Sequence, residues 1–162
     1  MSEQSAAFLP IAQQQILFRE LVADALSHAK RVGASDAVAE VSESKGLVVS
    51  VREGDIETIE QTRDRSLDVT VYAGKRRGSA STSDFSPQAM RETVEAAWHI
   101  ARYTAEDDCA GLPDADRLAT GPHADLQLHH PWDVSADAAA QLAIRAEKAA
   151  RDLSPLISNT DG

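Results

Sequence analysis

The sequence predicts an α+β fold: an antiparallel meander sheet of four or five strands with helices packed on one face. Three observations predict it. Residues 37–83 carry short runs in which apolar and polar side chains alternate between turn signals. Helical stripes lie before and after that region. No helix-length pattern interrupts the strands, so they cannot be joined by the crossovers that a parallel sheet requires.

The first helix spans residues 11–32, with Leu17, Leu21, Ala25 and Ala29 on one stripe and Gly33 placed to cap its C-terminus. In the sheet region "AVAEV" comes first, followed by "GLVVSV", where Leu47, Val49 and Val51 share a face. Glu53 to Asp55 reads as a tight turn, and "IETIEQ" as the return strand. "SLDVTVY" places Leu67, Val69 and Val71 inward, and "AGKRRG" turns the chain into a strand of small residues, "GSASTS". A second helix begins at Ser86-Pro87, an N-cap followed by a proline at the first helical position. Phe85 and Met90 are spaced as a hydrophobic staple, and Met90, Val94, Ala97, Trp98 and Ala101 form its buried stripe. Residues 104–134 are irregular and acidic, with repeated Gly and Pro. A third helix starts near Ser135 with Leu142, Ala146, Ala149 and Leu153 on one face, stops at Ser154-Pro155, and leads out of the domain. We expect a flexible N-terminus over residues 1–10, one domain over 11–156, and at 157–162 the start of a strand leading into an absent carboxy-terminal domain.

Charge and cysteine content narrow the function. With 16 basic against 26 acidic residues the chain carries a formal charge of -10, which argues against a phosphate backbone as partner. The only basic knot, Lys75-Arg76-Arg77, reads as a solvated turn tip. The single cysteine, Cys109, excludes an internal disulfide, and the acids beside it oppose an activated thiolate. No signal peptide is present, nor any apolar run near the ~20 residues of a membrane span, so a cytoplasmic location is expected.

Candidate chemistry is sparse. His-Glu-x-x-His, P-loop, Rossmann glycine and Gly-x-Ser-x-Gly patterns are all absent. The run Gly78, Ser79, Ala80 and Ser81 has two readings: small residues that admit a close backbone, or a sheet edge that contacts a peptide or partner. The stretch "HADLQLHHPWD" concentrates potential ligands. On an extended chain His123, Asp125 and His129 share a face while His130 points away, which is no recognised ligand spacing. His28 and His99 lie on helices without an acidic or histidine neighbour one turn on, as ordinary surface or edge residues.

The combination of motifs is more telling. "SLDVTVYAGKRRGSASTSDFSPQAMRETVEAAWHIARYTAEDDCAGLPD", with "EVSESKGLVVSVREGDIETIE", "DLQLHHPWD" and the terminal "ISNTDG", closely resembles the amino-terminal region of the PmbA (TldE) branch of the TldD/PmbA family. The resemblance covers residues 11–162. It implies the first domain of the non-zinc-binding subunit of a cytoplasmic two-subunit metallopeptidase that acts on flexible peptides. Zinc would be held by the TldD-like partner through a His-Glu-x-x-x-His motif that this chain lacks. The resemblance therefore implies no catalytic, cofactor-binding or metal residue here. The label "modulator of DNA gyrase" also attaches to the family, and the acidic charge makes it an indirect one. In the family pattern Leu-x-Leu-aromatic-His-Pro, His130-Pro131 matches and His129 departs by standing at the aromatic position. Two rivals from other classes are a stand-alone peptide- or protein-binding module that uses a sheet edge, and a small metal-dependent enzyme built on residues 123–133.

Overall fold

A computed structural model describes residues 10–122 and 124–162. The elements are α1 (Ile11–Arg31), β1 (Asp36–Arg52), β2 (Asp55–Ala73), β3 (Arg76–Thr82), α2 (Pro87–Tyr103), a short 3-10 turn (Ala115–Arg117) and α3 (Ala136–Arg151). Among the described residues one sheet of three strands forms, in the order β1-β2-β3. The α+β class stands, whereas the expected four or five strands are three. The polar stretches "SESK" and "TRDR" look like breaks between strands, yet both continue the ladder within β1 and β2. A polar stretch carries no Gly or Pro to end a ladder, so alternation is suspended there without the backbone turning.

The chain divides into two compact units, each of which takes part of the long β1/β2 hairpin. The first comprises the described part of Met1–Glu43 together with Asp64–Leu118. Its core joins Ala25 and Ala29 of α1, Leu67, Val69 and Val71 of β2, and Met90, Val94, Ala97 and Ala101 of α2. The first two helices thus cover one face of the sheet, as expected. β2 and β3 pair antiparallel with Val69 opposite Ala80 and Val71 opposite Gly78. Gly74, at φ +62°, takes the first position of the turn between them, where a two-residue hairpin needs a positive φ.

The start of α2 and the end of α1 follow from local sequence. The Ser86 hydroxyl accepts from the Ala89 N–H, and Pro87 occupies the first turn. Past α1, Gly33 at φ +99° closes a Schellman motif: its N–H donates to Lys30 O while the Ala34 N–H reaches Ala29 O.

His28 departs from its expected surface role. It is only 8% exposed, and its partner comes from another helix: Nε2 lies 3.0 Å from Glu95 Oε1, with Arg31 Nη2 3.2 Å from Nδ1. A guanidinium can only donate, so Nδ1 accepts and Nε2–H donates to the carboxylate. Sequence spacing along one helix could not show this α1–α2 tie. The variant His28→Ala is expected to cost about 1–2 kcal/mol in urea unfolding. A loss near zero would show the tie to be incidental.

The second unit, Ser44–Arg63 with Ala119–Gly162, joins the tip of the hairpin to α3. Ser135 caps α3 by accepting from the Ala138 N–H. The buried positions of α3 are Ala140 and Glu147, while Leu142 is 45% exposed and Leu153 is 83% exposed. The leucine-bearing face read from sequence is therefore not the buried one. The inward positions are taken instead by Ala140 and by the Glu147 carboxylate, with Ala143 and Ile144 half-buried beside them. At the far end, Val51 and Gly162 exchange both backbone hydrogen bonds at 2.9 and 3.0 Å, and Asp161 bridges antiparallel to Arg52. Strand-like pairing thus begins at Asp161 rather than at Ile157.

Candidate functional site

The sequence singled out two places, and they lie on different elements. β3 has β2 on one side only and is an edge of the sheet. Along it the side chains alternate strictly: Gly78 is buried beneath α2, whereas Ser79 and Ser81 face outward. A Cβ at Gly78 would stand 2.1 Å from Ala97 O and 2.4 Å from Ala101 N. Glycine is present there because the backbone of α2 lies directly on the strand. Ser79 Oγ sits 2.9 Å from Thr70 Oγ1 on the neighbouring strand. With a hydroxyl as partner rather than a base, nothing in that pair activates a nucleophile. A shallow polar depression bounded by Asp68, Thr70, Ser79 and Ser81 completes this face. Chemically it offers hydroxyls, a carboxylate and an open edge, which suits contact with a polypeptide rather than bond-making.

The basic turn is less free than expected. Lys75 Nζ donates to Asp108 O at 2.9 Å, and Arg76 donates to Arg102 O and pairs with Glu106 at 3.3 Å. Two of its three charges therefore hold the segment after α2 in place. Cys109 in that segment is exposed.

In the histidine-rich stretch, His123 lies outside the described residues. Asp125 Oδ1 accepts from the Gln127 N–H at 2.9 Å, and Gln127 has φ +50°. That left-handed residue breaks the extended run, so the shared face expected for Asp125 and His129 is interrupted. Asp125, His129 and His130 are all exposed. Among the described residues no three His, Cys, Asp or Glu side chains gather so as to hold a metal ion. Trp132, in the same stretch, is 72% exposed.

One group was missed. Glu147 is 3% exposed, and its carboxylate gathers three donors: the Glu53 N–H at 2.5 Å, the Gly54 N–H at 2.7 Å and the Thr160 hydroxyl at 2.6 Å. Glu53 and Gly54 have φ +53° and +89°, the signature of a type I′ hairpin turn whose two amides converge. The Thr160 hydroxyl bond and then the two amides hold this carboxyl below its ordinary value of 4.5, against the opposing effect of burial. Sequence signals existed only singly, as "EGD" and a glutamate on an alanine-rich helix.

Comparison with known proteins gives this geometry its context. A family model described as PmbA/TldA metallopeptidase domain 1 matches residues 37–101. The Haemophilus influenzae metalloprotease PmbA homolog is 43% identical over 99% of this chain and 35% of its own length. Metalloprotease PmbA of Escherichia coli O157:H7 is 48% identical over 93% of this chain and 33% of its own. Among solved structures, a gyrase-modulator-type protein of Bacteroides thetaiotaomicron superposes with TM-score 0.65 at 23% identity, over 84% of this chain and 30% of that one. TldE of Thermococcus kodakarensis gives 0.59 at 16% identity, over 86% and 30%, and these two support the fold alone. The sheet and its covering helices define an α+β domain of the kind that the PmbA/TldA metallopeptidase domain 1 model describes. The chain belongs to the PmbA/TldD family and carries its first domain. It spans about a third of the length of the curated relatives that it matches. Among the described residues no helix is long and apolar enough to cross a membrane.

Proposed function

We propose that this chain is the amino-terminal domain of the non-zinc-binding subunit of a cytoplasmic TldD/PmbA-type metallopeptidase. In this reading it shapes access of flexible peptides and helps to assemble the subunits, while a TldD-like partner holds the zinc and the catalytic groups. The observation that carries it is the 43% identity to a metalloprotease PmbA homolog over 99% of the chain. The β3 edge with Ser79 and Ser81, beside a surface of hydroxyls, supplies a face of the right chemistry for polypeptide contact.

The test is co-purification of the longest natural polypeptide containing this chain with its TldD-like partner, followed by peptidase assays of each alone and of the two together. Activity is expected only with the partner present, and chelator should abolish it. Chelator-sensitive hydrolysis by this polypeptide alone would overturn the assignment. A second reading, a peptide-binding module acting by strand addition, is favoured by β3 being an edge strand. It would be preferred if no TldD-like partner bound and extended peptides were captured instead.

A further inference from the structure

β1 is the other edge of the sheet, and its tip bears a second acceptor that the reading above does not use. Val51 sends both its N–H and its C=O to Gly162. Backbone groups alternate sides along a strand, so Val49 and Leu47, two and four residues back, direct theirs to that same edge. Among the described residues neither makes a backbone bond there. Beside this edge runs an apolar groove of about 430 Å³, lined by Leu47 and Val49 of β1, by Trp132 and by Leu142, Ala143 and Ala146 of α3. Trp132 is 72% exposed and Leu142 45% exposed, so apolar surface stands uncovered next to unpaired backbone.

We propose that the Leu47–Val49 edge and this groove receive, as an added antiparallel strand, a further segment of the same polypeptide. The relatives are about three times longer than this chain and have such a segment to give. Its register is set by the Val51/Gly162 pair and the Arg52/Asp161 bridge, which already add one strand-like turn of chain to β1. An extended segment in that register would satisfy the Val49 and Leu47 amides in turn. Its side chains on the buried face would lie over the groove, between β1 and α3. A segment tethered in this way needs no separate encounter, so it outcompetes a free peptide or a second copy at the same edge.

Amide hydrogen exchange on the longest natural polypeptide containing this chain tests the proposal without reference to peptidase activity. The Leu47 and Val49 amides are expected to exchange at least roughly tenfold more slowly than exposed loop amides such as those of residues 124–130, at every protein concentration. Ala143→Asp, which places a charge in the groove, should release them selectively. The Val69 and Val71 amides would remain protected, reporting an intact core. Fast exchange of Leu47 and Val49 would overturn the proposal. So would protection lost on dilution, which means a second copy, or protection gained only on adding free peptide.

Discussion

Gly78→Ala is expected to lower the stability of the first unit by about 3 kcal/mol or more, the upper end of overpacking costs. The added methyl would meet Ala97 O at 2.1 Å and Ala101 N at 2.4 Å, and these are backbone atoms of a helix. A flexible side chain could swing aside; a helical carbonyl cannot move without lifting α2 from β2 and β3. Val94, Ala97 and Ala101 share the core with Leu67, Val69 and Val71, so separation there exposes the whole cluster. Thermal unfolding should show the midpoint reduced by roughly 10 °C. The neighbouring substitution Ser79→Ala, on the outward face, should stay within about 1 kcal/mol because it loses one exposed hydroxyl pair. Ala97→Gly should give no rescue, since the clash is with backbone. A stable Gly78→Ala variant that loses only partner or peptide binding would reverse this reading and make Gly78 a contact residue.

That contrast shows what the sequence could and could not tell. The run "GSASTS" reads as a strand of small residues, and the stripe from Met90 to Ala101 supplies the covering helix; both are local patterns and both hold. The two meanings of a small-residue run, close packing or an open edge, turn out to apply to alternate residues of the same strand. Family membership was legible because the motifs extend over nearly the whole chain. Nonlocal features were not legible. His28 finds Glu95 across 67 residues, and Glu147 finds the Glu53-Gly54 turn across more than 90. No spacing rule reaches that far. The α3 face was misread for a related reason. Large apolar side chains dominate a helical periodicity, yet the buried positions are Ala140 and Glu147, Leu142 borders a groove and Leu153 stands exposed. The extra strands were misread because polar residues in a continuous ladder look like loop.

Glu147→Ala is expected to have the second large effect, disordering the hairpin tip and releasing the segment that ends in Thr160. The carboxylate takes three donors while buried, and two of them are amides of a turn in which Glu53 itself adopts a left-handed conformation. Removing the acceptor leaves those amides unpaired and that conformation unsupported. Glu147→Gln keeps one acceptor oxygen but turns an NH2 group toward donors, so it should fall between wild type and Glu147→Ala. The pH dependence separates charge from shape. A carboxyl whose folded value lies below 4.5 binds protons less readily when folded, so its stabilisation is complete above that value and is lost as pH falls through the folded one. The stability gap between wild type and Glu147→Gln should therefore be widest near neutral pH and close progressively below pH 4.5. Thr160→Val removes the bond that contributes most to the depression, and the closing of the gap should then begin at a higher pH. Unfolding monitored at the Val51 and Gly54 amides from about pH 3 to neutrality measures each of these. A gap that stays constant over that range would mean that the carboxylate acts by packing alone, and would remove the charged cap from the account of this turn.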